Sequence, residues 1–163
     1  MKRIPRREKP DRQPPVQHAQ PARLFRVYPD PSRPTFVVEV RISRTPKHMR
    51  AEINRFQGHA GGKESFRDTA GLVRSYYNRI TGRQVTRPAA GGRVVARMFL
   101  NLHDLRKRPS ELVAHECTHA GMAWARYCKA NLGVMPGEEV LCYAVGKLVR
   151  QVNAACYAHH VWP

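Results

Sequence analysis

The 163-residue sequence is poor in acidic side chains, long apolar runs and paired cysteines. Twelve Asp and Glu stand against 29 Lys and Arg, a net charge of +17, which excludes a balanced surface and brings an acidic partner into consideration. No run approaches the roughly 18 apolar residues of a membrane-spanning helix, and the N-terminus has basic residues but no apolar stretch of signal-peptide length. A soluble, cytoplasmic protein with no membrane partner is expected. Cys117, Cys128, Cys142 and Cys156 form no CxxC pair and lie among apolar residues, which argues against a disulfide scaffold and predicts buried thiols.

What is present suffices for one domain, since 42% of the residues are hydrophobic. Residues 109–163 carry four cations and four acids, so the whole excess charge lies in residues 1–108. Residues 1–34 hold eight of the thirteen prolines. Such a composition cannot bury enough apolar surface to offset its ordering entropy, so residues 1–22 are expected to be a disordered basic arm. Its Lys2, Arg3, Arg6, Arg7, Lys9 and Arg12 suit either a solubilising tail or a nucleic-acid tether. The folded domain is expected over residues 23–163.

Within it, Leu24 to Tyr28 and Thr35 to Ile42 read as strands, the second alternating as a half-buried strand does. A short helix follows Pro46, with Met49, Ile53 and Phe56 on one face, and stops at Gly58 before Gly61-Gly62. Steps of three and four through Phe66, Ala70, Val73, Tyr77 and Ile80 predict a helix over Glu64 to Thr81, capped by Gly82. Arg93 to Asn101, after Gly91-Gly92, reads as a strand, and His103-Asp104 as a polar loop. Ser110 is the expected N-cap of a helix reaching Tyr127, with Leu112, Val113, Cys117, Ala120 and Trp124 inward. A last helix is expected over Gly137 to Asn153, after the breakers Gly133, Pro136 and Gly137.

The chemistry resides in His115-Glu116-Cys117-Thr118-His119, an HExxH inside a predicted helix. Four residues advance a helix by about 400°, so both imidazoles leave nearly one face and can share a zinc ion. Glu116, about 100° around, is poorly placed as a ligand and well placed as a base for a metal-held water. Cys117 points away and reads as a core thiol. The longer motif HExxHxxGxxH is excluded, because Met122 and Ala125 occupy its glycine and third-histidine positions. The third ligand is then sought in Glu138-Glu139 at the start of the last helix. Glu139 is preferred, because the small residues Cys142 and Gly146 follow it at +3 and +7 and would permit close approach to the zinc helix. Glu138, on the face of Leu141, Val145 and Val152, competes with it, and both also suit the positive end of a helix dipole. Tyr143 and Tyr157 are candidate hydrogen-bond donors to an oxyanion, although each also reads as core packing. His159-His160 is a weaker candidate for a ligand or proton donor.

His115, Glu116, His119 and Glu139, the last within Glu139-Val140-Leu141-Cys142-Tyr143-Ala144-Val145-Gly146, resemble the small gluzincin-type metallopeptidases of the zincin fold. The compact group found in phages and other mobile elements is the most similar. The resemblance covers about residues 93–153, and only the four zinc-site positions are specific. It implies an α+β zincin-like fold, a small twisted sheet packed on the HExxH helix and a following Glu-bearing helix. It further implies zinc on His115, His119 and Glu139, Glu116 as general base, a protein or peptide substrate, and Arg93 to Asn101 as the strand aligning that substrate. Location would be the host cytoplasm for a phage-encoded member. Two other functions compete: a nucleic-acid-associated protein using its basic N-terminal half, and an interaction module retaining an inert or structural zinc site.

Overall fold

A computed structural model of the protein describes residues 22–30, 36–57, 70–75 and 94–162. Residues 1–21 of the expected arm lie outside these residues. So do Gly58, Gly61-Gly62, Gly82 and Gly91-Gly92.

The elements in chain order are β1 (Arg23–Val27), β2 (Val37–Ser43), α1 (Pro46–Gln57), β3 (Gly71–Ser75), β4 (Val94–Asn101), α2 (Leu102–Lys107), α3 (Pro109–Tyr127) and α4 (Met135–Ala158). The four strands form one mixed sheet in the order β1-β2-β4-β3. Strand β2 runs parallel to β4, whereas β1 and β3 are antiparallel edges. The architecture is α+β, with helices on both faces of the sheet.

Strand alternation divides the interior. Val38, Val40 and Ile42 of β2 and Ala96, Met98 and Leu100 of β4 pack in the main core with Val113, Cys117, Ala120, Leu148 and Val152 of α3 and α4. On the other face, Phe99 meets Met49 and Ile53 of α1. The half-buried reading of β2 needs correction, since every residue of the strand is buried. Its polar side chains are buried as an ionic network: Glu39 Oε1 accepts from Arg41 and Arg97 at 2.8 Å, and Ser43 and Arg41 both donate to Glu52 of α1. Burial pushes the Glu39 carboxyl up, but hydrogen bonds from Arg97 and Arg41 outweigh it and hold the group below its ordinary range.

The expected helix over Glu64 to Thr81 is also corrected where it is described, because Gly71–Ser75 is a strand paired antiparallel with β4. Leu72 packs against the α1 cluster and Val73 against the main core, on opposite faces. A two-faced apolar strand satisfies helical spacing as readily as strand spacing, and pairing with β4 decides between them.

Three corrections follow β4. His103-Asp104 lies in α2 rather than in a loop, because Asn101 caps that helix with an Oδ1 acceptor for the Asp104 N–H at 2.9 Å. Ser110 is inside α3. That helix starts at Pro109, whose missing N–H is harmless at N1, with Arg108 as an N-cap that makes no side-chain cap bond. Helix α4 extends beyond both expected ends. Cys117 and Cys156 are buried as expected, whereas Cys128 and Cys142 are exposed.

Helices α3 and α4 form an antiparallel hairpin joined by residues 128–134. A Cβ placed on Gly121 of α3 would lie 2.6 Å from Val145 Cγ2 and 3.2 Å from Leu141 Cδ1. The small residue permitting close approach is therefore on α3. Cys142 and Gly146, expected to play that part, are exposed, and nothing lies within 4 Å of a Cβ at Gly146. Among the described residues no helix is long and apolar enough to cross a membrane.

Candidate metal centre

The residues of the motif emerge from the middle of α3. Leu112, Val113, Cys117, Ala120 and Trp124 are buried as the helical spacing requires, which leaves His115 and His119 on an exposed face. The two Nε2 atoms are 3.2 Å apart. Nitrogens bound tetrahedrally to one zinc at about 2.0–2.1 Å each are separated by about 3.3 Å, so the pair matches the spacing of a shared ion. Without metal, the same contact serves one N–H···N hydrogen bond between complementary tautomers. His119 has its pKa lowered, first by burial and then by the charges of His115 and Arg126, so the neutral ligand form is favoured.

Glu116 is buried, in contrast to the exposed imidazoles. Its Oε1 lies 4.0 Å from His115 Nε2, and its Oε2 has no hydrogen-bond partner. Burial raises its carboxyl to about 7. The cover comes from β3: a Cβ on Gly71 would fall 2.7 Å from both Cγ and Oε1 of Glu116. Any side chain at that position would have to displace the buried Glu116 side chain where the edge strand passes over the carboxylate. Buried Asn101 holds that strand in place, donating from Nδ2 to the Ala70 carbonyl at 2.9 Å and to Asp104 at 2.7 Å.

Ala70, Gly71, Arg108, Glu111, Leu112, His115 and Glu116 line a cavity of about 270 Å³. Arg108 and Glu111, paired at 3.2 Å, were not among the residues expected at the site. A sequence signal existed for Glu111, which precedes His115 by one helical turn on the same side of α3. Arg108 offered none, since its place depends on the turn between α2 and α3.

Glu138, Glu139 and Tyr143 lie elsewhere. With Met135 and Cys142 they line a separate cavity near the start of α4. The Gly121–Val145 contact sets the hairpin register, which places Glu139 on the order of 10 Å along the axis from the imidazoles. Among the described residues no group of three His, Cys, Asp or Glu could hold a metal ion. Tyr157 is exposed and packs edge-on against Trp162, His159 stacks on Phe25, and Asp104 bonds to Asn101. Cys117 is inert in the core, its thiol raised to about 12 chiefly by burial.

One consequence is testable directly. Gly71→Ala is expected to destabilise the protein by roughly 1–3 kcal/mol, because the new methyl overlaps the buried Glu116 side chain. Denaturant unfolding reads the change, and a variant as stable as the parent would show that β3 does not press on Glu116.

Comparison of the chain with protein-family models, curated proteins and solved structures gives no significant match.

Proposed function

We propose that the protein is a zinc-dependent peptidase whose zinc is held by His115 and His119 and whose general base is Glu116. The observation carrying this reading is the convergence of two imidazole nitrogens at 3.2 Å beside a buried carboxylate with an unpaired oxygen. The donor set suits zinc, which when bound acidifies a water and polarises a carbonyl. Glu116 takes up a proton from water at its carboxylate, whose Oε1 faces His115 Nε2 at 4.0 Å, and passes it to the departing amine. A carboxyl raised to about 7 is poised for both transfers near neutral pH. Arg108, at the same cavity, supplies a cation for the oxyanion or for a substrate carboxylate.

Strand β4 is enclosed between β2 and β3, so the substrate-aligning role expected of it passes to β3, whose outer edge is unpaired among the described residues. An extended peptide adding to that edge would run beside Glu116. Glu139 as third ligand requires the first turns of α4 to move toward His119. If it ligates, Glu139→Gln weakens zinc binding strongly and Glu138→Gln does not.

The test is elemental mass spectrometry on protein purified without added metal or a metal-binding tag. About one zinc per chain is expected. No zinc, with none taken up on titration, would reduce His115 and His119 to a hydrogen-bonded surface pair.

A further inference from the structure

Helix α4 presents a second stripe, away from the core. Ala144, Leu148, Val152 and Cys156 are buried on one side, and Met135, Glu139, Tyr143, Gly146, Arg150 and Ala154 fall within about 100° of each other on the opposite side. All six are exposed. The stripe is apolar or small except at Glu139 and Arg150, and its large side chains stand in solvent, with Met135 73% and Tyr143 70% exposed. A helix facing water ordinarily carries charge along its outer face, so this face is the one left to be covered. Gly146 leaves a notch in it, because nothing lies within 4 Å of a Cβ placed there. Met135, Glu139 and Tyr143 also border the cavity of about 450 Å³ near the start of the helix.

The charges select the occupant. The acids of α4, Glu138 and Glu139, lie in its first half, and its cations, Lys147 and Arg150, in its second. Neither Glu139 nor Arg150 has an ion pair or side-chain hydrogen bond with a described residue. An identical helix laid antiparallel brings acid to cation twice, whereas a parallel one sets Glu139 against Glu139. The register follows from the sequence. A two-fold axis passing between Ala144 and Val145 sets Glu139 opposite Arg150, Tyr143 opposite Gly146 and Met135 opposite Ala154. Each large apolar side chain then meets a small residue, and each charge meets its opposite. At 1.5 Å per residue this contact runs about 30 Å along the helix. Residues 109–163 carry equal numbers of cations and acids, so a second copy meets less repulsion here than at the basic remainder of the chain.

We infer that α4 pairs antiparallel with α4 of a second copy of this chain across that axis, forming a closed two-fold dimer. The Tyr143 ring enters the Gly146 notch of the other copy, and Ala154 and the Arg150 stem cover the cavity bordered by Met135 and Glu139. The inference does not depend on zinc. A Glu139 held by the second copy is not free to move toward His119, so pairing and metal ligation are alternative states of that residue.

The test is sedimentation equilibrium of the full chain at about 0.15 M salt, where a Debye length of about 8 Å screens distant charges and spares contact pairs. The parent is expected to interconvert between monomer and dimer with a dissociation constant on the order of micromolar. Glu139→Arg and Arg150→Glu should each weaken the dimer by at least about tenfold, because the axis applies every change twice and like charges then face each other. Combining them restores opposite charges, so Glu139→Arg/Arg150→Glu should return to within about threefold of the parent. Gly146→Leu fills the notch and should also weaken the dimer by at least about tenfold. Leucine favours helix over glycine, so this variant should unfold at no lower denaturant than the parent monomer, which separates loss of the contact from loss of the fold. A parent still monomeric at about 1 mM would overturn the inference, since that affinity is too weak for a specific contact. A dimer indifferent to Gly146→Leu and to both charge reversals would place the contact elsewhere and overturn it too. A double variant no tighter than the single ones would exclude the antiparallel register.

Discussion

Glu116→Gln is expected to retain zinc and to lose peptide hydrolysis by about 10²–10⁴-fold, the range attributed to a positioned general base. The amide has nearly the same shape and fits the same space under Gly71, but it cannot accept a proton from water. Zinc content should be unchanged, because Glu116 leaves the helix on a different side from His115 and His119. A variant that hydrolyses peptide at the parental rate would remove Glu116 from the chemistry, and one that loses zinc would make it a ligand.

The same substitution has a stability signature in metal-free protein. Glu116 has an ordinary pKa of 4.5, and burial raises it to about 7 in the fold. Below 4.5 both states are protonated and the site carries no charge penalty. As pH rises toward 7 the unfolded chain releases its proton first, so stability falls through that window and is lowest above it. The loss is roughly 2–4 kcal/mol by proton linkage. Glu116→Gln should remove this fall, so it unfolds at higher denaturant than the parent at pH 8 and similarly at pH 4. Equal pH dependence in the two proteins would show that the carboxyl is not held neutral by burial.

Residues whose signals are local were legible in the sequence. The alternation of Ala96, Met98 and Leu100 placed β4, and the apolar stripe of α3 oriented HExxH with both imidazoles outward. Residues whose environment comes from distant chain were not. Leu72 and Val73 belong to a strand because β4 offers an edge, and their own spacing cannot report it. The burial of Glu116 depends on Gly71, which crosses it from the sheet. The position of Glu139 follows from Gly121 receiving Val145, a side-chain fit that sets how far one helix slides along the other. The preference for Glu139 over Glu138 used small residues as a sign of close packing. The packed face instead carries Leu141 and Val145, because the small partner is on the opposite helix.

Replacing either imidazole is the largest change available to the proposed centre. His115→Ala and His119→Ala should each weaken zinc binding by more than about 100-fold, beyond the range set by loss of an outer-shell partner. The consequence extends to stability, because a metal that binds only the folded state stabilises it by mass action, about 4 kcal/mol at a thousand times its dissociation constant. The parent should therefore melt higher with zinc than with chelator, and both variants should melt alike in the two conditions. His115 is well suited to this test, since its side chain is 65% exposed and its removal opens no cavity in the core. His119 adds a proton effect of known sign. Its lowered pKa means that the unfolded chain gains a proton first as pH falls below 6.5, so metal-free parent loses stability there and His119→Ala should lose less. One zinc per chain in either variant would move the metal off this pair. A parent melting temperature indifferent to zinc would leave the 3.2 Å contact as a hydrogen bond and nothing more.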